Sequence, residues 1–189
     1  MDKTSLSELN GIIRFWESMA PVCDPSADGH DDRTGLLAAS LAIRMKHPKD
    51  FIEIIVLAAR VHDIGKLAIP KTVLSVNKLS EAERAMIESH AESGAKALEG
   101  AGVNAAIVSI VWAHHENYDG TGYPRGLSGQ AIPMGARILR VVDTWDALTT
   151  DRSYRKGMAP AQALEEMEAK ARWYDPEVLR VFKRMMTNA

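Results

Sequence analysis

Apolar residues in this chain recur every third or fourth position, and no stretch of useful length alternates apolar with polar. A period near 3.6 buries one stripe of a helix, whereas a half-buried strand needs a period of two. The chain is therefore confined to helix-on-helix packing, an all-α bundle, and start and stop signals divide it into seven to eight helices. Ser5 with Glu8 forms a capping box ahead of Leu9, Ile12, Ile13, Trp16 and Met19. Asp24-Pro25 predicts a second helix that runs to about His47 and stops before Pro48. Asp50 is the expected cap of a third, which carries Phe51, Ile54, Ile55, Leu57 and Ala58 down to His62 and ends near Gly65. Ser80 with Glu83 opens a fourth that contains His90 and ends near Gly100. A strongly apolar fifth runs from about Val103 to His114, and a sixth from Pro133 to about Thr149. Two more start near Pro160 and at Asp175-Pro176. Between the fifth and sixth, Glu116 to Pro133 holds four glycines and two prolines and reads as a long loop. Loops of that length inside a compact domain are usually functional or disordered.

Composition narrows the chemistry. At 189 residues the chain can bury a core without staples, as one domain with a short extension. Residues 1–23 form the extension, an amphipathic helix that packs on the bundle, dimerises, or ends a linker from another domain; residues 24–189 form the domain. Lys plus Arg is 23 against 25 for Asp plus Glu, a net charge of -2, so nothing points to nucleic acid or an anionic membrane. No apolar run is long enough to span a bilayer and no signal peptide opens the chain, so a cytoplasmic protein is expected. The single cysteine, Cys23, excludes a disulfide framework and any thiolate-built zinc site. Metal chemistry, if present, falls to six histidines: His30, His47, His62, His90, His114 and His115.

Their positions converge. His62-Asp63 ends an apolar helix, which delivers this polar pair into the interior, where a carboxylate needs a partner such as a cation. His114-His115 ends another buried helix. His90 lies beside Met86, Ile87 and Leu98, and His30 opens a helix rich in Leu and Ala. Asp143 interrupts Ile138, Leu139, Val141 and Val142, where a solvated carboxylate would be out of place. Asp146, one turn on, is either support behind a ligand or a surface acid. His47 reads as a helix C-terminal cation facing the dipole. Facing helices are how bundles build metal sites, and mixed imidazole and carboxylate donors suit Fe, Mn, Zn, Co or Ni. Five His and two Asp exceed one ion's needs. They fit two ions sharing a carboxylate, roughly 3.5–4 Å apart, the arrangement used for phosphoester hydrolysis.

The motifs then resemble a known family. His62-Asp63-Ile64-Gly65-Lys66 with Ile69-Pro70 is similar to the signature of the HD superfamily of phosphohydrolases. His114-His115-Glu116, Asp119-Gly120, Gly122-Tyr123-Pro124, Gly126-Leu127 and Ile132-Pro133 resemble the extended signature of its HD-GYP subgroup. Asp143, Asp146-Ala147-Leu148 and Asp151-Arg152-Ser153-Tyr154-Arg155 continue it. The resemblance spans His30 to Phe182. It implies an HD-superfamily helical bundle that hydrolyses cyclic di-GMP to linear pGpG and, in some members, GMP. It implies that His30, His62, Asp63 and Asp143 hold one metal ion and His90, His114 and His115 a second, with Asp63 shared. It also implies that Lys66 meets the scissile phosphate, that Arg152 and Arg155 grip the substrate's phosphates and guanine, and that the Gly122-Tyr123-Pro124 loop contacts substrate or a protein partner. Two divalent ions, Fe or Mn, are the expected cofactors, since nitrogen and oxygen donors without thiolate suit them. A Lys point charge and Arg forks suit phosphate on general grounds, although the same residues without the motif read as surface charge. Where some members have a Glu four residues before the first ligand His, supporting a third metal, this chain has Ser26, so the expected site is dinuclear. Ser153 replaces the usual Pro of the Arg-rich stretch. Two readings compete with turnover of cyclic di-GMP: a low-turnover module that senses it or docks a partner, and a hydrolase of another cyclic dinucleotide.

Overall fold

The computed structural model describes residues 6–23, 29–76, 78–151 and 156–187, and they form a helical bundle. Its helices are α1 (Leu6–Cys23), α2 (His30–Arg44), α3 (Lys49–Val61), α4 (Lys71–Leu74), α5 (Glu81–Glu88), α6 (His90–Gly100), α7 (Ala105–Ala113), α8 (Met134–Thr149), α9 (Pro160–Ala169) and α10 (Pro176–Thr187). Tight 3-10 turns cover Ile64–Ala68, Gly129–Ala131 and Ala171–Trp173. Among the described residues the only β pairing is an isolated bridge between Asp119 and Ser128, inside the long loop.

One apolar core unites the bundle. Small residues on α2 (Ala38, Ala42) and α3 (Ala58, Ala59) are fully buried and let those helices pack closely. Ile107, Ile110 and Val111 of α7 and Ile138, Leu139, Val141 and Val142 of α8 fill the centre. Phe182 of α10 meets Trp145 of α8 edge-on, with centroids 5.4 Å apart. α1 contributes Leu9, Ile13, Trp16 and Ala20 to the same core. Each such Leu or Ile contributes roughly 1.5–3 kcal/mol over leaving it exposed. Burial of these stripes, more than helix propensity, holds the short helices.

Most punctuation behaves as read. Ser80 and Glu83 form a reciprocal capping box on α5. Asn104 caps α7. Asp175 Oδ1 accepts from the backbone N–H groups of Glu177 and Val178 at the start of α10. Three boundaries differ. α2 begins at His30, because Gly29 ahead of it is in the left-handed region at φ 66°, which breaks any helix arriving from Asp24. Asp24 to Asp28, Ser26 among them, and the Ser5 cap lie outside the described residues. The cap of α3 is Pro48, with Asp50 in the first turn. The expected fourth helix divides at Ser89 into α5 and α6, so His90 opens a helix instead of sitting mid-helix. There the Ser89 hydroxyl donates to Met86 O and His90 Nδ1 donates to Ile87 O. This division and the short α4 lift the helix count above the expected seven to eight. His47 is also different: its ring stacks on Phe51 at 4.2 Å, and burial lowers its pKa, so it is a neutral packing residue and not a helix-end cation. Among the described residues no helix is long and apolar enough to cross a membrane.

Candidate metal centre

Five segments bring their polar ends to one place. His30 is the first residue of α2, His62 caps the end of α3, and Asp63 precedes the tight turn at Ile64–Ala68. His90 opens α6, His114 and His115 follow α7, and Asp143 lies within α8. Ligand atoms of Asp63, His90, His114 and His115 all fall within 4.8 Å of one another, and so do those of His30, His62 and Asp63. Asp63 is common to both groups. Its Oδ1 is 3.2 Å from His90 Nε2 and its Oδ2 3.6 Å from His62 Nε2. Asp143 Oδ1 stands 3.3 Å from His30 Nε2 and 4.0 Å from His62 Nε2, beside the second group.

The rings are aimed by their other nitrogens. His62 Nδ1 donates to Ala59 O at 2.7 Å, His90 Nδ1 to Ile87 O at 2.6 Å and His114 Nδ1 to Val111 O at 2.5 Å. Each acceptor is the carbonyl three residues upstream, a free group where a helix ends or a turn tightens. His30 Nδ1 donates to Asp146 Oδ2 at 2.7 Å, and Asp146 is held in turn by Arg33 at 2.6 Å. Asp146 is thus buried behind His30 and is not a surface acid. Donation from Nδ1 turns the Nε2 of each ring inward, and in a neutral ring that nitrogen carries the lone pair.

That geometry fits a cation. His90 Nε2 and His114 Nε2 face each other at 3.2 Å, a separation at which a shared proton or a cation held between them satisfies both. Burial, joined by the neighbouring imidazoles, holds His114 and His115 well below the usual histidine pKa, so both are neutral donors. Burial works against ionisation of Asp63, but Lys66 and then His62 and His90 keep its pKa well below the usual carboxylate value. Asp143 is likewise held down by His30 against the effect of burial. His30 itself is raised to about 10, because Asp143 and Asp146 outweigh the burial that would lower it. Neutral His114 and His115 and ionised Asp63 and Asp143 are in the states a divalent ion requires, whereas His30 has a proton to give up.

Around the ligands, Lys66 Nζ is 2.6 Å from Asp63 Oδ2 and its side chain is 20% exposed. Tyr123 lies along His115, centroids 4.8 Å apart, and burial raises its phenol pKa above the usual value. Gly122 and Pro124 flank it, half-buried. Arg152 and Arg155, with Ser153, lie outside the described residues. Sequence reasoning gave no role to Glu116 or Arg140. Buried Glu116 accepts from the backbone N–H groups of Arg125 and Leu127 and so folds the loop back on itself. Arg140, one turn before Asp143, donates from Nε to Asn117 Oδ1 and from Nη1 to Thr144 Oγ1. A buried acid next to His-His was the only signal for the first, and nothing in the sequence marked the second.

The family model described as HD domain matches residues 16–178. A cyclic di-GMP phosphodiesterase of Pseudomonas aeruginosa is 38% identical over 148 residues, which cover 77% of this chain and 36% of that protein. The 3'3'-cGAMP-specific phosphodiesterase 3 of Vibrio cholerae is 34% identical over 185 residues, 94% of this chain and 39% of that protein. The chain therefore spans less than half the length of either relative. Among solved structures, Bd1817, an HDG"Y"P protein from Bdellovibrio bacteriovorus, superposes with a TM-score of 0.71 over 95% of this chain and 61% of its own. At 19% identity that is a likeness of fold.

Proposed function

The chain belongs to the HD domain family, and from that membership we propose that it is a metal-dependent phosphodiesterase that hydrolyses cyclic di-GMP to linear pGpG. The observation that carries this reading is Asp63, one buried carboxylate within reach of two separate histidine groups. His30, His62, Asp63 and Asp143 would hold one divalent ion, and Asp63, His90, His114 and His115 a second. Iron or manganese suits these nitrogen and oxygen donors. When bound, such ions supply the Lewis acidity that phosphodiester hydrolysis uses.

The chain's own residues do the rest. Asp63 and Asp143 stay ionised, and His114 and His115 stay neutral, so these four donors are ready, and His30 gives up a proton when an ion binds. Lys66, held against Asp63 at the partly open edge, presents a cation to the scissile phosphate and to the charge that builds on it. The Tyr123 ring covers His115 and offers the substrate a flat, half-buried surface. Arg152 and Arg155 would take the remaining phosphate and a guanine. The Gly122-Tyr123-Pro124 loop is also where a protein partner would dock. Action in the cytoplasm and pairing of two chains through α1 belong to the same proposal.

Asp63→Ala is the test. In protein reconstituted with Mn or Fe it should abolish hydrolysis and reduce bound metal, and normal turnover by this variant would overturn the reading. The cGAMP-specific relative favours a second reading, in which another cyclic dinucleotide is preferred. A panel of cyclic dinucleotides assayed side by side decides between them by kcat/KM.

A further inference from the structure

α1 carries none of the proposed ligands, yet it reaches the segments that do. Trp16, 1% exposed, donates from Nε1 to Asp31 Oδ2 at 2.7 Å. Asp31 follows His30 directly in α2. Its Oδ1 stands 3.8 Å from Nδ1 of His62, on the side of the ring away from the centre. One residue further along α1, Glu17 pairs with Arg60, two residues before His62. Arg60 also lies 3.8 Å from Asp32, two residues after His30. α1 is thus tied at two successive residues to the beginning of α2 and the end of α3.

Asp31 has no obvious reason to be where it is. It is 6% exposed, and among the described residues its Oδ1 has no hydrogen-bond partner. A buried carboxylate with an unmet oxygen is costly. What it does have is proximity to the N–H end of an imidazole. Negative charge behind a ligating histidine makes the opposite nitrogen a stronger donor and fixes the ring's direction. Asp146 serves His30 in this way from α8. Asp31 stands in the corresponding place for His62, at longer range.

We propose that Asp31, held by Trp16, is a positioning residue for the subsite of His30, His62, Asp63 and Asp143, and that α1 is thereby a working part of the metal centre. This rests on the two-ion reading above. The chemistry it serves is divalent cation binding at one subsite only, since Asp31 follows His30 in the chain and faces His62.

Calorimetric titration of the metal-free full chain with Mn2+ alone tests it. Asp31→Asn keeps an oxygen for the Trp16 N–H but removes the charge. Trp16→Phe keeps the ring but removes the donor. In both, the same one of two binding steps should weaken 10- to 100-fold, the usual effect of removing support behind a ligand, while the other changes less than threefold. Two unchanged steps in both variants overturn the proposal. So does a loss confined to Trp16→Phe that affects both steps equally and accompanies a lower melting temperature, since that is packing alone. Wild-type protein that takes up no Mn2+ overturns the metal reading itself, and this inference with it.

Discussion

An imidazole with one nitrogen committed has only one direction left for the other. His62, His90 and His114 each spend Nδ1 on a carbonyl three residues back, so the backbone that ends each helix also aims the ring. This is why His62-Asp63 and His114-His115 were legible in sequence: a buried helix end is recognisable from its apolar run, and the aiming comes with it. Asp31 was not legible. An acid in a first turn reads as a favourable dipole contact, and only the path of α1 shows that it is buried. His30 differs from the other three because its Nδ1 meets a carboxylate, and the consequence depends on pH. Its folded pKa, about 10, lies above the unfolded value of 6.5, so the folded metal-free chain binds that proton more tightly than the unfolded chain. The stabilisation is complete below pH 6.5 and is lost as pH rises towards 10. A bound ion replaces the proton and removes this dependence. Melting temperatures of chelator-treated protein should fall between pH 7 and pH 9.5, and fall less with Mn2+ present. Parallel declines in the two series would show that His30 is not where proton and ion compete.

At the level of elements, the expected fourth helix divides where another backbone presses on it. Gly65, in the turn after Asp63, sits so close to α6 that a Cβ there would lie 2.0 Å from His90 O and 2.7 Å from Gly94 N. Periodicity could not reveal this contact, because the apolar stripe runs on through Ser89 and Gly65 is distant in sequence. The caps at Ser80 and Asp175 were readable because they act within three residues. Gly65→Ala must therefore push His90 and Asp63 apart, at about 1–3 kcal/mol or more as for other overpacked sites. Both melting temperature and metal content should drop. Ser80→Ala is the matching control: it removes an exposed cap at about 1 kcal/mol, or roughly 2–4 °C for a chain of this size. It should leave metal content intact. Equal metal loss in the two variants would mean that stability, and not the Gly65 crossing, sets occupancy.

For the whole molecule, a near-neutral net charge concealed a strongly polarised interior. Asp31, Asp63, Asp143 and Asp146 gather around the centre, and among the described residues Lys66, Arg33 and protonated His30 pair with three of them. Composition could not show that imbalance, because it appears only when α2, α3 and α8 meet. The donors come from α2, the end of α3, α6, the end of α7 and α8, so an ion held there joins elements that are far apart in sequence. Such an ion binds the folded chain and has no preformed site in the unfolded one, which makes its affinity a contribution to global stability. At free Mn2+ one hundred times a site's Kd the gain is about 2.7 kcal/mol for that site. For a chain of this length that corresponds to a rise of roughly 5–10 °C in Tm. The rise should continue with the logarithm of Mn2+ concentration, and amide exchange should slow in α3, α7 and α8 together. Asp63→Ala, which breaks both donor groups at once, should show almost none of it. Equal melting temperatures for wild-type protein with and without Mn2+ would mean that the donors assemble without an ion, and that the carboxylates are balanced by protons and by Lys66 and Arg33 instead.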